Sequence, residues 1–184
     1  MKAEDCKFYD QFFEGNKRQY IIPVYQRNYD WTIEECKNLF DDIINAYKHD
    51  KEHFIGSIIQ VQKDEENGIK PFIVIDGQQR LTTVYLLLTA LLEFEENIDR
   101  KDVIIQSLFN NFKGEEPKKQ FDKYKLKLKA NTFDNNQLVL LMTKKFEQLN
   151  TSSNIYKNYE YFSNLIDEKL KSGYTSLEDR KSVV

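Results

Sequence analysis

With 184 residues, 40% of them hydrophobic and 31% charged, the chain is the size of one domain or slightly more, large enough to bury a core of its own. No apolar run comes near the roughly 18 residues that cross a bilayer, so a helical membrane span is excluded. A net charge of -3 gives no global attraction for nucleic acid and leaves only a local basic face to provide one. Cys6 and Cys36, with His49 and His53, supply neither a zinc site nor a disulfide framework; both thiols are expected to be reduced and Cys36 buried. No apolar stretch follows Met1 to Lys7, so no secretory signal is expected and the cytoplasm is the expected location. Aromatics are abundant at 14%, which suits a packed core as well as a base-binding pocket.

In chain order, residues 5–13 read as a short amphipathic helix and Arg18 to Pro23 as a strand, the proline holding its neighbour extended. A polar loop, Val24 to Trp31, leads to the capping box Thr32-x-x-Glu35 and a helix to about Lys48, with Ile33, Cys36, Leu39, Phe40, Ile43, Ile44 and Tyr47 at helical spacing. Phe54 to Gln62 and Pro71 to Ile75 are β-rich and flank a charged turn, Asp64 to Lys70, which makes them a hairpin or neighbouring strands. After Gly77 a helix from Gln78 to about Glu95 carries Leu81, Val84, Tyr85, Leu87, Leu88, Leu91 and Leu92, enough to be buried on most sides. Beyond residue 97 the chain becomes mostly helical. Val103, Ile104, Leu108 and Phe112 mark a helix that ends at the breaker Lys113 to Pro117. Tyr124 to Lys129 alternates as a half-exposed strand with its lysines outward. Two more helices are expected near residues 136–149 and 153–170. The end of the sequence has no closing feature, as expected of the front piece of a longer protein.

Two polar constellations stand out. Asp76-Gly77-Gln78-Gln79-Arg80 sits where a buried strand meets a buried helix. Free N–H groups and the positive end of the helix dipole favour an anion there, and glycine allows close approach. Arg80 suits a pair of phosphate oxygens, Gln78 and Gln79 a sugar or base, and Asp76 a divalent cation. A plainer reading makes Asp76 an N-cap, Gly77 a tight turn and Arg80 half of a salt bridge. Neither G-x-x-x-x-G-K-[ST] nor G-x-G-x-x-G occurs. In the second constellation Gln26, Arg27 and Asp30 alternate with Tyr25, Tyr29 and Trp31, suited to gripping phosphate and stacking a base. The alternative has the aromatics as core anchors and Arg27 paired with Asp30. Trp31 reads as a hydrophobic staple beside the Thr32 cap. His49 and His53 read as solvated. Gly56-Ser57 marks either a bulge or a place where a ligand approaches the backbone. Lys123, Lys125, Lys127 and Lys129 read as a solvated strand face, with contact to nucleic acid as the alternative. No Ser-His-Asp, HExxH or paired-carboxylate pattern is present.

Together, Ile22-Pro23-x-Tyr25-Gln26-Arg27-x-Tyr29-x-Trp31, the capped helix through Asp41-Asp42-Ile43, Phe54-x-Gly56-Ser57-Ile58 and Ile75-Asp76-Gly77-Gln78-Gln79-Arg80-Leu81-Thr82-Thr83 resemble the N-terminal domain of GmrSD-type, modification-dependent (type IV) restriction systems over about residues 10 to 170. The resemblance implies an α+β fold similar to the ParB and sulfiredoxin group: a small mixed sheet with packed helices, then a mostly helical C-terminal part. Residues 1–97 would be the nucleotide-binding core and residues 98–184 the helical extension. It implies an NTP with Mg2+ as cofactor and NTP hydrolysis coupled to cutting foreign, modified DNA. Asp76 and Arg80 would be catalytic, and Asp76 would hold the metal. Gly77, Gln78 and Gln79 would bind the nucleotide, with Gln26, Arg27 and Tyr25 as the second wall. Sulfiredoxin chemistry needs a cysteine where Gln78 and Gln79 stand and is not expected. The family's nuclease usually lies in a C-terminal histidine-containing domain. Both histidines here precede Asp76, so a downstream domain or a partner is expected to engage the DNA and cut it. Oligomerisation is left open. The rival expectations are a nucleotide- or DNA-sensing module without turnover and, further off, a direct nuclease using Asp76.

Overall fold

A computed structural model describes residues 8–12, 17–66, 68–110 and 125–172. The fold is α+β: a four-stranded mixed sheet with helices and, beside it, a two-stranded ribbon. In chain order the strands are β1 (Arg18–Ile21), β2 (Ile59–Gln62), β3 (Lys70–Asp76), β4 (Phe109–Asn110), β5 (Lys125–Leu126) and β6 (Leu128–Lys129). The helices are α1 (Phe8–Phe12), α2 (Ile33–Lys48), α3 (Gln78–Phe94), α4 (Ile98–Leu108), α5 (Thr132–Met142) and α6 (Asn154–Lys171), with a 3-10 turn at Phe146–Gln148. The main sheet runs β2-β3-β1-β6. β1 is parallel to β3, with Tyr20 opposite Phe72, and parallel to β6; β2 and β3 form the expected antiparallel pair.

The capping box forms as spaced: the Thr32 hydroxyl accepts from the Glu34 N–H, and Glu35 Oε2 accepts from the Thr32 N–H at 2.7 Å, which starts α2 at Ile33. Its apolar stripe is only partly used. Cys36 and Leu39 are buried, while Ile33 and Tyr47 stay exposed. By contrast α3 buries Leu81, Tyr85, Leu86, Leu87 and Ala90 and packs against α4 and α6, as its near-continuous apolar run predicts. One hydrophobic cluster runs from Tyr20 and Val74 through Tyr85 and Leu86 to Leu138, Ile155 and Phe162, so early and late elements share a core. No helix among the described residues is long and apolar enough to cross a membrane.

Four expectations are corrected in extent. The strand expected from Phe54 begins only at Ile59, because Gly56 adopts φ +94° and breaks the extended run. The helix expected over 136–149 spans Thr132–Met142. Asn131 caps it through the Asp134 N–H, and Lys144, at φ +54°, ends it. The last helix reaches Lys171, and the helix expected through Phe112 stops at Leu108, where the chain turns into β4. The alternating strand is split: Lys127 is 1% exposed, at a bend where its N–H donates to Leu108 O and its carbonyl accepts from Tyr20 N. Lys127 therefore leaves the expected outward lysine stripe, and burial, with the nearby charge of Arg18, pulls its ammonium down to about 8. Lys129 is exposed as expected. Cys6, the breaker Lys113 to Pro117, Lys123, Tyr124 and the Lys125 side chain lie outside the described residues, as do the ends of the first expected helix.

Candidate functional site

The junction of β3 and α3 is where the first polar constellation falls. Gly77 is the N-cap of α3, in the left-handed region at φ +86°, and no side chain among the described residues caps the helix. Asp76 is therefore the last residue of β3 and not the cap that the plainer reading assigned to it. Its side chain makes no hydrogen bond or ion pair among the described residues and is exposed to solvent. Glycine is required at 77 for space as well as for conformation: a Cβ would lie 2.7 Å from Ile58 Cγ1 and 3.0 Å from Ser57 O.

Two segments close over this junction. On one side the chain from Ile55 to Ile58 crosses the first turn of α3. Arg80 Nη1 donates to Ser57 O at 2.9 Å and to Ile55 O at 3.3 Å, and lies where a Cβ on Gly56 would sit, 1.9 Å from it. The close approach to the backbone at Gly56-Ser57 is made by Arg80 and not by a ligand, and the irregularity in the ladder falls three residues later, between Ile59 and Gln60. The salt bridge assigned to Arg80 by the plainer reading does not form among the described residues; its partners are carbonyls.

On the other side the loop from Pro23 to Trp31 is held by the two glutamines. Gln79 Nε2 donates to Asn28 O (3.2 Å), and Gln79 Oε1 accepts from Asp30 N (3.0 Å) and Trp31 N (3.4 Å). Gln78 Nε2 makes a long 3.4 Å bond to Arg27 O, and its Oε1 is buried with no partner among the described residues. Gln26 Nε2 donates to Ile75 O at 3.0 Å, tying the loop to the end of β3. The sequence motif thus comes together in space, but Gln78, Gln79 and Arg80 all point at protein backbone. Around them Asp76, Arg27 and Tyr25 are exposed, Tyr25 at 75%. Arg27 pairs with Asp30 at 2.8 Å, so the pairing alternative holds for this residue. Of the three loop aromatics only Tyr29 is a core anchor. Trp31 is half-buried against the core, and Tyr25 is not anchored.

Tyr29 organises a buried polar cluster that no motif announced. Its N–H donates to Asp134 Oδ2 at 2.7 Å; its hydroxyl contacts Thr83 Oγ1 at 2.6 Å, Asn158 Nδ2 at 3.0 Å and Cys36 Sγ at 3.5 Å. Asn131 Nδ2 donates to Asn28 Oδ1, and Asn158 Nδ2 also to Trp31 O. Burial pushes the Tyr29 phenol well above its ordinary range and the Cys36 thiol up to about 11. It also raises the Asp134 carboxyl, against the hydrogen bonds from Tyr29 and Asn131. Asn158 could have been noticed as an amide at a core position, between Ile155 and Phe162 on the buried face of α6; its partners could not.

The remaining candidates lie elsewhere. His49 bonds to Asn45 O within its own helix end, and His53 sits 3.4 Å from Asp42. A surface cleft of about 350 Å³ on the sheet, lined by Gln19, Ile21, Ile69, Pro71 and Ile73, includes none of the motif residues. The family model described as GmrSD restriction endonuclease, N-terminal domain, matches residues 9–183. No curated protein matches the chain.

Proposed function

The protein belongs to the GmrSD restriction endonuclease N-terminal domain family and is part of a restriction system, and from that premise we propose that it binds and hydrolyses a nucleoside triphosphate at the start of α3 to control DNA cleavage carried out elsewhere. The observation that supports this reading is a long helix that begins at a glycine and, among the described residues, has no side-chain cap, preceded by an exposed carboxylate with no partner among them and followed by a guanidinium in its first turn. Uncapped N–H groups and the helix dipole favour a phosphate. Asp76 fits a cation that a phosphate also holds. No group of three His, Cys, Asp or Glu among the described residues gathers to bind a metal alone, so phosphate oxygens and water would complete the shell, as Mg2+ prefers.

In this reading each residue of the two constellations has a task. The backbone of Gly77, Gln78 and Gln79 meets the phosphates, and Arg80 and Arg27 balance their charge, Arg27 exchanging Asp30 for the ligand. Gln79 acts through the loop it holds, and Gln26 and Tyr25 form the second wall, with Tyr25 free to stack on a base. Mg2+, when bound, would neutralise charge that develops on the phosphate. Phosphoryl transfer requires mainly positioning and charge stabilisation, which this set of side chains can supply.

A second reading, a module that closes on its nucleotide and switches a partner without turnover, draws support from Gln78, Gln79 and Arg80, which already grip the two closing segments. One experiment addresses both. Thermal melts with ATP, GTP, CTP or UTP, with and without Mg2+, are expected to show stabilisation by one of them, about 2.7 kcal/mol at a concentration a hundred times Kd. Asp76→Asn is expected to lose the Mg2+-dependent part while its melt without ligand stays within about 0.5 kcal/mol of wild type, since Asp76 is exposed and unpaired. Binding without phosphate release selects the second reading; no shift with any nucleotide removes both.

A further inference from the structure

The loop that closes the proposed site is latched from the far end of the chain. Asn158, on α6, is 1% exposed and donates Nδ2 to Trp31 O at 2.7 Å and to the Tyr29 hydroxyl at 3.0 Å. The Thr83 hydroxyl donates to Gln79 O at 2.9 Å and so accepts from the Tyr29 hydroxyl at 2.6 Å. The donors then run one way: Asn158 amide to Tyr29 hydroxyl, Tyr29 to Thr83, Thr83 to the backbone of Gln79. Each hydroxyl both accepts and donates, so removing either one costs its neighbours a hydrogen bond in a buried place. The chain joins α6, the loop and the first turn of α3, and Gln79 returns to the same loop through Asn28, Asp30 and Trp31.

Asn158 Oδ1 is buried with no partner among the described residues. An apolar side chain of similar size would pack at this position without that cost, so packing does not account for an amide there; its Nδ2 donors do. We propose that Asn158 is a positioning residue, which holds the Tyr29–Trp31 segment in register with α3 and so makes the loop's placement depend on the seating of α6. The inference about the loop stands on these bonds alone; its consequence for ligand binding rests on the nucleotide reading above.

Trp31 is the single tryptophan of the chain, so its fluorescence reports the latch directly. Asn158→Leu keeps the branch at Cγ, in a larger side chain, and removes the donors; Tyr29→Phe keeps the ring and removes the hydroxyl. In the 184-residue protein both variants are expected to shift Trp31 emission to the red and to raise its quenching by acrylamide, with helical circular dichroism retained. If wild type binds Mg2+-ATP or Mg2+-GTP, its Kd is expected to rise about tenfold in each variant, the factor equivalent to about one lost net hydrogen bond. Trp31 emission and quenching unchanged in a folded variant would overturn the latch, and should Asn158→Leu fail to fold, Tyr29→Phe decides. Altered Trp31 signals in a protein whose wild type binds none of ATP, GTP, CTP and UTP with Mg2+ would leave the latch standing and count against the nucleotide site alone.

Discussion

Asp134 is 4% exposed and carries its carboxylate into the cluster beneath the Tyr29 loop. Burial raises its pKa, opposed by the Tyr29 N–H and Asn131, so the folded chain holds this proton more tightly than the unfolded chain does. The sign follows: the stabilising contribution is complete below the ordinary aspartate range and is lost as pH rises through the raised folded value. Asp134→Asn keeps an oxygen acceptor for Tyr29 and cannot ionise. The melting temperature of the variant minus that of wild type is therefore expected to increase from about pH 4 to about pH 7, measured at constant ionic strength. A difference that falls over this range would mean that the hydrogen bonds to the carboxylate outweigh its desolvation. Residue types were legible here to different degrees. Thr32 and Glu35 bond to each other across one turn, so their spacing predicts their partners. Gln78 and Gln79 have amides that serve a ligand and a backbone equally well. Only the position of the loop shows that they serve the backbone.

Among the elements, the start of α3 is shaped as much by the segment crossing it as by its own residues. Phe54 to Ile58 has the composition of a strand, yet the carbonyls of Ile55 and Ser57 go to Arg80 and not to a ladder. Gly56 makes this possible. Gly56→Ala would place a Cβ 1.9 Å from Arg80 Nη1 at a φ of +94°, and is expected to displace Arg80 and weaken both of its bonds. Gly68→Ala is the control, since its φ of +76° is also a conformation that L side chains rarely adopt, at a cost of about 1–2 kcal/mol, with no described atom within 4 Å of the new Cβ. Urea unfolding is expected to show Gly56→Ala the more destabilised by about 1 kcal/mol or more. Equal losses would show that Arg80 relaxes without cost. The split at Lys127 has a similar origin. Alternation along Leu126, Lys127 and Leu128 predicts one outward lysine face, but the bend hands β5 to β4 and β6 to β1, and all three side chains end up buried.

At the scale of the whole molecule, composition divides the chain near residue 97 whereas the core does not. Leu81, Tyr85, Leu86, Leu87 and Ala90 of α3 are buried in a cluster that also holds Leu138, Ile155 and Phe162. A fragment of residues 1–97 would leave much of that surface bare. It is expected to bind a hydrophobic dye and to melt without a cooperative transition. A cooperative melt with native-like circular dichroism would show that the front half folds alone. The sequence by itself determined the mixture of strands and helices up to about residue 97 and the mostly helical remainder, the capped helix α2, the central helix α3, the β2–β3 pair and the two polar motifs, because those features depend on periodicity, caps and turns within a few residues; the α+β class came from the family resemblance. Tertiary structure alone decided that Arg80 grips the crossing segment, that Lys127 is buried, and that Asn158, Asp134 and Asn131 hold the loop. Those partners lie 19 to 129 residues apart in the chain, and hydrogen bonds over such separations leave no periodic trace in a sequence.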